Sequence, residues 1–201
     1  MKHLFTTLFV AAALSSVCSA APKVNVLVEL NGMHNGLLLT EAGGEGFTYS
    51  NPQSKDPKIK FAHYATSSVP VSADWKEYTL TFIPNTPSCT FGVRSTSASA
   101  GHWIDIDDIK VVNGTIKNPS FEMVNSKQEA AFWRYYSLDC LRVNKKDAAE
   151  GKNYATVNSR FAMRINLSFK KGEKITVSFK ARLGQPVKVP AKPFFSSMAA
   201  K

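Results

Sequence analysis

The sequence lacks the local motifs with which common enzyme classes arrange their chemistry. It contains no Gly-x-Ser-x-Gly nucleophile motif, no His-Glu-x-x-His zinc motif and no glycine-rich phosphate loop. No cysteine has a histidine partner that the sequence identifies. Scattered glutamates and aspartates could supply the two carboxylates of a glycosidase, but any exported domain contains such residues. These absences predict that the protein is not an enzyme.

Acidic residues are scarce. The chain has 15 Asp and Glu against 25 Lys and Arg, which gives a formal net charge of +10. A charge of this sign promotes association with anionic glycans, cell-wall polymers, nucleic acid or acidic lipids. The basic residues are scattered over many predicted strands, which is typical of a solvated surface. This scatter argues against a nucleic-acid partner, and so does the secretory signal peptide that residues 1–20 resemble, as described next.

Long hydrophobic runs are absent as well. The apolar run at residues 4–14 is too short to span a bilayer as a helix, and small residues follow it at 19–21. This order is typical of a secretory signal peptide over residues 1–20. A lipid anchor on Cys18 is the alternative, but Val17 stands where that signal has a small residue. We expect a secreted, periplasmic or cell-surface protein without a transmembrane segment.

Cysteine is also rare, with three in the chain. The two that follow the signal peptide are Cys89 and Cys140. In an oxidising compartment they can form a disulfide that ties two parts of the chain together. The alternative is a pair of separate buried thiols. Neither belongs to a pair spaced for zinc.

The chain does contain β-strand patterning. Apolar and polar residues alternate over residues 24–30, 78–82 and 175–180, while helical periodicity is weak outside the signal peptide. Alternation with a period of two gives each strand one buried and one wetter face. We therefore predict an all-β protein with one β-sandwich domain over residues 21–189. Alternation is lost in residues 190–201, which we predict to be a tail.

A turn signal lies near the middle of the chain. Asn113-Gly114 separates two short strand patterns, Ile109–Val112 and Thr115–Lys117. Asn-Gly accepts the positive φ values of a type I′ turn, so we predict a hairpin at this point. Hairpin pairing would bring the aspartates before the turn close to Glu122 after it.

The residues around this turn carry a family resemblance. Asn118-Pro119-Ser120-Phe121-Glu122, Trp133 and residues 151–155 and 171–182 resemble the first half of a carbohydrate-binding module of the family 4 and 9 type. Residues 71–82 and 104–109 resemble the second half, which here comes earlier in the chain. The resemblance implies a jelly-roll β-sandwich of two antiparallel sheets, related to galactose-binding-like domains.

Two arrangements explain the reversed order of the halves. One is a circular permutation, with second-half strands in residues 21–112 and first-half strands in residues 115–189. The other is a tandem pair of incomplete modules completed by strand exchange between molecules. Half a sandwich would leave an apolar sheet face uncovered, so we favour a single permuted domain.

The resemblance also implies a structural calcium site. The family uses the glutamate of the Asn-Pro-x-Phe-Glu segment and an aspartate near the end of the last strand, which correspond here to Glu122 and to Asp107 or Asp108. Two carboxylates with nearby main-chain carbonyls provide the oxygen ligands that calcium prefers. The alternative is that these aspartates, with Asp105, are strand-edge charges paired with lysines.

Sugar binding needs aromatic faces and polar side chains that reach hydroxyl groups. The best cluster is Trp133-Arg134-Tyr135-Tyr136, where alternation sends Trp133 and Tyr135 to one face and Arg134 and Tyr136 to the other. Further candidates are Trp103 and Arg94. For each of them, packing in the sandwich is the alternative, and Trp75 we assign to packing.

These inferences converge on a function. The resemblance implies a non-catalytic carbohydrate-binding protein with a glycan or cell-surface polysaccharide as its partner. The alternative is a structural or adhesive β-sandwich of the cell surface or periplasm without sugar binding. The first predicts an exposed aromatic side chain in a groove, and the second predicts a flat apolar or charged patch.

Overall fold

A computed structural model describes the residues 24–31, 37–38, 47–50, 61–62, 64–84, 86–95, 102–126, 129–135, 140–143, 145–158 and 163–186. Between residues 31 and 69, and at Tyr135, it describes the backbone only. The predicted signal peptide (residues 1–20) and tail (residues 190–201) lie outside the described residues.

The described residues form strands and no helix. The strands are β1 (Asn25–Asn31), β2 (Leu37–Leu38), β3 (Phe47–Ser50), β4 (Phe61–Ala62), β5 (Tyr64–Pro70), β6 (Lys76–Phe82), β7 (Ser88–Ser95), β8 (Ile104–Val112), β9 (Gly114–Thr115), β10 (Arg134–Tyr135), β11 (Leu141–Arg142), β12 (Tyr154–Val157), β13 (Met163–Phe169) and β14 (Ile175–Leu183). This part of the chain also contains no helix long and apolar enough to cross a membrane.

Two antiparallel sheets make up the body of the protein. The first is seven-stranded with the order β10-β13-β7-β1-β5-β3, and β9 pairs with β13 beside this path. The second is five-stranded with the order β11-β12-β8-β14-β6, and β2 pairs with β4 as a separate small ladder. The prediction of an all-β fold with two antiparallel sheets is confirmed.

The core lies between the two sheets, and the period-two pattern decides which side chains enter it. In β14 the buried positions alternate with half-buried ones from Ile175 to Ala181. Phe179 of β14 stacks on Tyr78 of β6 in its own sheet and meets Phe91 of β7 in the other sheet, with ring centroids 5.7 and 6.4 Å apart. Phe179 therefore helps to join the two sheets.

Both sheets combine early and late parts of the chain. β8 lies between β12 and β14, and β7 lies beside β13. The buried apolar residues of both parts form one cluster. This arrangement agrees with a single interior shared by residues 24–112 and 114–183. Jelly-roll connectivity and circular permutation stay predictions.

The predicted hairpin at Asn113-Gly114 is wrong. After β8 the chain leaves its sheet, and β9 pairs with β13 of the other sheet. A type I′ turn needs positive φ at both central residues, but of this pair only Asn113 has it, at 61°. β14 occupies one edge of β8 up to Val112, while β12 pairs on the other edge only with Ile104–Ile106. Beyond β12, Ile109 N–H donates to the Pro119 carbonyl at 3.4 Å, and no strand pairs there among the described residues.

Gly114 serves a close approach instead of a turn. A Cβ at this position would lie 2.7 Å from Val111 Cγ1 and 3.0 Å from the carbonyl oxygen of Ser168. Absence of a side chain lets the chain pass between the sheets at this point. Asn113 fixes the crossing by donating from Nδ2 to the carbonyl of Lys174 at 3.0 Å.

A β-bulge interrupts β8. Lys110 pairs with Ser178 and Asp107 pairs with Lys180, so Asp108 and Ile109 stand opposite the single residue between them in β14. Asp108 adopts a positive φ of 49°. The extra residue places both Ile106 and Ile109 in the core and leaves the two carboxylates between them for other contacts.

Candidate functional site

The outer face of the five-stranded sheet carries a polar cluster at the centre of β8, β12 and β14. Asp105 of β8 pairs across the sheet with Thr156 on one side and with Arg182 on the other. These residues alternate with core residues on their strands, so they point away from the core. The sheet register therefore brings together three polar side chains that are far apart in the sequence.

Hydrogen bonds connect these three side chains. Thr156 Oγ1 donates to Asp105 Oδ1 at 2.7 Å, and Arg182 Nε donates to Asp105 Oδ2 at 3.0 Å. Asp105 and Thr156 are both buried, with 4% and 0% of their surface exposed. Burial raises the pKa of Asp105, while the hydrogen bonds from Thr156 and Arg182 act against the rise. These hydrogen bonds hold the three side chains in place, and we call Asp105, Thr156 and Arg182 the polar floor.

Two aromatic rings stand beside this floor. The Arg182 guanidinium carbon lies 4.4 Å from the ring centroid of Trp75 and 5.2 Å from that of Tyr154. The two rings meet edge to face with centroids 5.7 Å apart. Trp75, which the sequence analysis assigned to packing, is only half-buried. Its ring therefore supports Arg182 of the polar floor and Tyr154 beside it.

The loop between β11 and β12 closes one side. Arg182 donates from Nη2 to Asp147 Oδ2 at 2.5 Å, and Trp75 Nε1 donates to the Asp147 carbonyl at 2.8 Å. The hydrogen bond from Arg182 lowers the pKa of the Asp147 carboxyl. Asp147 therefore remains ionised at neutral pH and ties the loop to the sheet.

The polar floor and the loop between β11 and β12 border a depression of about 520 Å³ that is open to solvent. Its lining consists of Ala73, Asp105, Arg142, Lys145, Asp147, Tyr154, Thr156, Arg182, Leu183 and Gln185. Charged and hydroxyl groups dominate this lining, with the Tyr154 ring at its side. Such a surface suits a polar ligand with several hydrogen-bonding groups better than an apolar one.

Two of the carboxylates predicted to bind calcium, Asp107 and Glu122, accept hydrogen bonds from the backbone of this same loop between β11 and β12. Asp107 Oδ2 accepts from the backbone N–H groups of Ala149 and Glu150, both at 2.9 Å. Glu122 Oε1 accepts from the backbone N–H groups of Lys152 and Asn153, at 2.7 and 2.8 Å. The two carboxylates thus converge on residues 149–153 as anionic caps for backbone donors.

Asp108 has a different environment. Its Oδ2 atom lies 3.0 Å from Lys110 Nζ and 2.9 Å from Lys180 Nζ. This is the lysine pairing that the sequence analysis gave as the alternative to calcium. Among the residues that the structure describes, no group of three or more His, Cys, Asp or Glu side chains is placed to hold a metal ion. These contacts do not fit a calcium centre well, and calcium stays a prediction.

Two of the predicted sugar-binding residues are buried. Trp133 and Trp103 expose 5% and 3% of their surface. Trp133 packs against Phe121 with ring centroids 4.7 Å apart and donates from Nε1 to the Asn118 carbonyl at 2.8 Å. The burial of Trp133 is the packing alternative, and neither tryptophan lines the depression.

The predicted arginines belong to the other sheet. Arg94 Nε lies 3.9 Å from Glu29 Oε2 on β1, and Arg134 pairs across strands with Arg164. The side chain of Tyr135 and all of Tyr136 lie outside the described residues. None of the described side chains of the predicted ligand set therefore reaches the depression.

The predicted disulfide between Cys89 and Cys140 is not formed in the structure, where both are buried thiols. Cys89 is on β7 of the seven-stranded sheet, whereas Cys140 directly precedes β11 at the edge of the five-stranded sheet. Among the strands that the structure describes, no pairing places these two positions side by side. Burial raises the pKa of the Cys89 thiol to about 12.

Sequence reasoning missed the residues that form the depression. Arg142, Tyr154 and Arg182 stand on three strands, and each is unremarkable in its own segment. The available signal was the alternation over residues 175–182, which assigns Arg182 to the outer face. The pairing of β14 with β8, which places Arg182 beside Asp105, has no local signal.

Comparison with known proteins gives no relative for this chain. No protein-family model matches it. No curated protein matches it. No solved structure matches it either. The resemblance to a carbohydrate-binding module therefore stays a prediction from short sequence segments.

Proposed function

We propose that this protein is an exported, non-catalytic glycan-binding β-sandwich, and that the ligand is bound in the depression on the five-stranded sheet. The observation that carries the proposal is that hydrogen-bonded polar side chains and an aromatic ring line the same depression. Asp105, Thr156 and Arg182 supply fixed polar groups, and Tyr154 is the aromatic residue of the lining, with Trp75 packed against it. Saccharides need this combination, since their rings have apolar faces and their edges carry hydroxyl groups.

The arrangement of the carboxylates supports a non-catalytic role. Asp105 and Asp147 line the depression, but both are bound to the same Arg182 guanidinium. A glycosidase pair flanks the scissile bond of a sugar, with one carboxyl group free to donate a proton. Here an arginine of the protein occupies the position between the two groups.

A glycan array with wild-type protein tests the proposal, followed by binding titrations of two variants. Trp75→Ala removes the ring that packs against three lining residues, Tyr154, Arg182 and Asp147. Phe132→Ala removes an aromatic ring that is 53% exposed and is remote from the lining. We expect Trp75→Ala to weaken binding about two- to tenfold, because aromatic contacts contribute about 0.5–1.5 kcal/mol, while Phe132→Ala leaves it unchanged. Melting temperatures of both variants show whether the fold is retained.

The results separate the alternatives. If the wild-type protein binds no glycan on a broad array, glycan binding is refuted. If Phe132→Ala abolishes binding and Trp75→Ala does not, the ligand binds elsewhere and the depression is the wrong site.

One observation favours the structural or adhesive alternative. Met123 and Phe132 are 55% and 53% exposed and flank the bridge between Val124 and Ala130. Exposed apolar groups of this kind often mark contact surfaces. Self-association that is lost in a Met123→Ser, Phe132→Ser double variant, measured by sedimentation, would support this second function.

A further inference from the structure

The depression contains more cationic than anionic side chains. Three cations, Arg142, Lys145 and Arg182, line it together with two carboxylates, Asp105 and Asp147. Arg182 forms ion pairs with both carboxylates, at 3.0 and 2.5 Å. Within the described part of the chain, no carboxylate forms an ion pair with Arg142 or Lys145. Arg142 lies near Asp105 and Lys145 near Asp147, and each cation favours the ionised form of its carboxyl neighbour. Because Arg182 already forms ion pairs with both carboxylates, the lining keeps an excess of positive charge.

Arg142 is positioned to bind a ligand. Its Nε atom donates to Thr156 Oγ1 at 3.1 Å, which fixes the guanidinium against the buried floor. Its Nη2 atom reaches the carbonyl oxygens of Gln185 and Pro186 only at 3.4 and 3.5 Å. These are long hydrogen bonds, since the usual N–H···O separation is about 2.9 Å. The outer end of the guanidinium thus has donors that its protein partners satisfy poorly.

We propose that the ligand of this depression is an acidic saccharide, and that Arg142 with Lys145 binds its carboxylate or sulfate group. This inference rests on the proposed glycan-binding function and specifies its ligand class. An arginine fork offers two parallel N–H donors to an oxyanion, and a lysine at the rim adds a second charge. Asp105 anchors Arg182 and Thr156 anchors Arg142, and the adjacent sugar would lie against the exposed edge of Tyr154. The formal net charge of +10 adds long-range attraction for such ligands.

The test compares matched ligands on the intact protein by isothermal titration calorimetry. The uronate panel contains oligogalacturonate, alginate and glucuronoxylan fragments, and the neutral panel contains the same fragments after reduction of their carboxyl groups. Chondroitin sulfate fragments test sulfate as the anion, and a short single-stranded DNA of similar charge tests binding of any polyanion. We expect acidic fragments to bind at least about tenfold more tightly than their reduced forms, because hydrogen bonds to an ionised acceptor are about twice as strong as those to a neutral one.

Three variants locate the effect. Arg142→Gln and Lys145→Gln each remove one positive charge from the depression, and Lys171→Gln removes one from an exposed turn elsewhere. We expect Arg142→Gln to weaken binding of acidic fragments about tenfold or more and to leave binding of neutral fragments unchanged. Lys145→Gln should weaken it less, since its side chain is solvent-exposed, and Lys171→Gln should change nothing. Lys145 is at the surface, so its variant reports on the site even if Arg142→Gln fails to fold.

Each result decides a separate question. Equal binding of acidic and reduced fragments would overturn this inference while leaving glycan binding intact. Equal weakening by all three variants, or equally tight binding of the DNA, would mean that only net charge matters and would also overturn it. If neither acidic nor neutral saccharides bind, the proposed function and the inference are both refuted. Preference for the uronate or the sulfated series identifies which anion the arginine accepts.

Discussion

Asp107 is fully buried in the bulge of β8, and its ionisation should control stability near pH 6. Its carboxylate accepts backbone N–H hydrogen bonds from Asp108, Ala149 and Glu150, at 2.7, 2.9 and 2.9 Å. Burial nevertheless outweighs these donors and raises the pKa from 3.8 to about 6. The folded state therefore holds a proton on Asp107 more tightly than the unfolded chain does. Its contribution to stability should increase as the pH falls from 7 towards 4.

The size of the effect follows from the two pKa values. Ionised Asp107 costs the folded state about 3 kcal/mol at pH 7.5, because each pKa unit corresponds to about 1.4 kcal/mol. At pH 4.5 most of the folded protein has a protonated Asp107, and the cost falls to about 1 kcal/mol. Between these conditions the contribution of this one residue changes by about 2 kcal/mol.

Urea denaturation of the wild-type protein and of Asp107→Asn at both pH values measures this change. Asn cannot titrate, so the stability lost in the variant should be about 2 kcal/mol larger at pH 4.5 than at pH 7.5. Asp108→Asn is the control. For Asp108, burial is outweighed by hydrogen bonds and charges from Lys180 and Lys110, which lower its pKa, so its effect should stay nearly constant over this range.

A direct titration checks the same claim without a variant. The ¹³C shift of the Asp107 carboxyl group, followed by NMR, should change with a midpoint near pH 6. A midpoint near 4, or an Asp107→Asn effect that is independent of pH, would refute the argument that burial dominates at this site.

Two glycine substitutions test close contacts seen in the structure. Gly151→Ala places a Cβ against the Glu122 carboxylate at a φ of +61°. Gly172→Ala is the control, since Gly172 has a φ of +82° and no atom lies within 4 Å of the added Cβ. Urea denaturation should show Gly151→Ala to be about 1–3 kcal/mol more destabilising than Gly172→Ala, and equal effects would exclude the contact. Gly92→Ala places a Cβ 3.0 Å from the Met163 carbonyl oxygen and 3.1 Å from Arg164 Cγ. It should destabilise the protein by about 1–3 kcal/mol, and an Arg164→Ala background should relieve only part of this loss, because the contact with the backbone oxygen remains.

Sequence reasoning predicted the fold class because alternation is a local property. The patterns at residues 78–82 and 175–180 identify strands and their buried faces without knowledge of their neighbours. The turn at Asn113-Gly114 shows the limit of such reasoning. The pair has the right residues for a hairpin, but strand neighbours are decided by packing of the whole sandwich, and here residues 114–115 pair with β13 of the other sheet.

The candidate site could be predicted only in part, for the same reason. The resemblance indicated that Asp107 and Glu122 lie close together, and both do bind the loop at residues 149–153. The sequence could not show that their oxygen atoms accept backbone N–H groups. The depression depends on the register of β8 with β12 and β14, so Arg142 and Arg182 become neighbours of one carboxylate only after folding.

The loop between β11 and β12 connects these observations. Its backbone N–H groups donate hydrogen bonds to Asp107 and Glu122, while its Asp147 side chain accepts one from Arg182 in the depression. Loss of an anchor below the loop would therefore displace a charge in the depression without altering any lining residue. These two carboxylates, buried Asp107 and exposed Glu122, thus determine the shape of the surface on which a ligand would bind, because they set the position of Asp147 relative to the cations. The same structural role can be filled without a bound ion, since four backbone donors satisfy the two carboxylate oxygens that hold the loop.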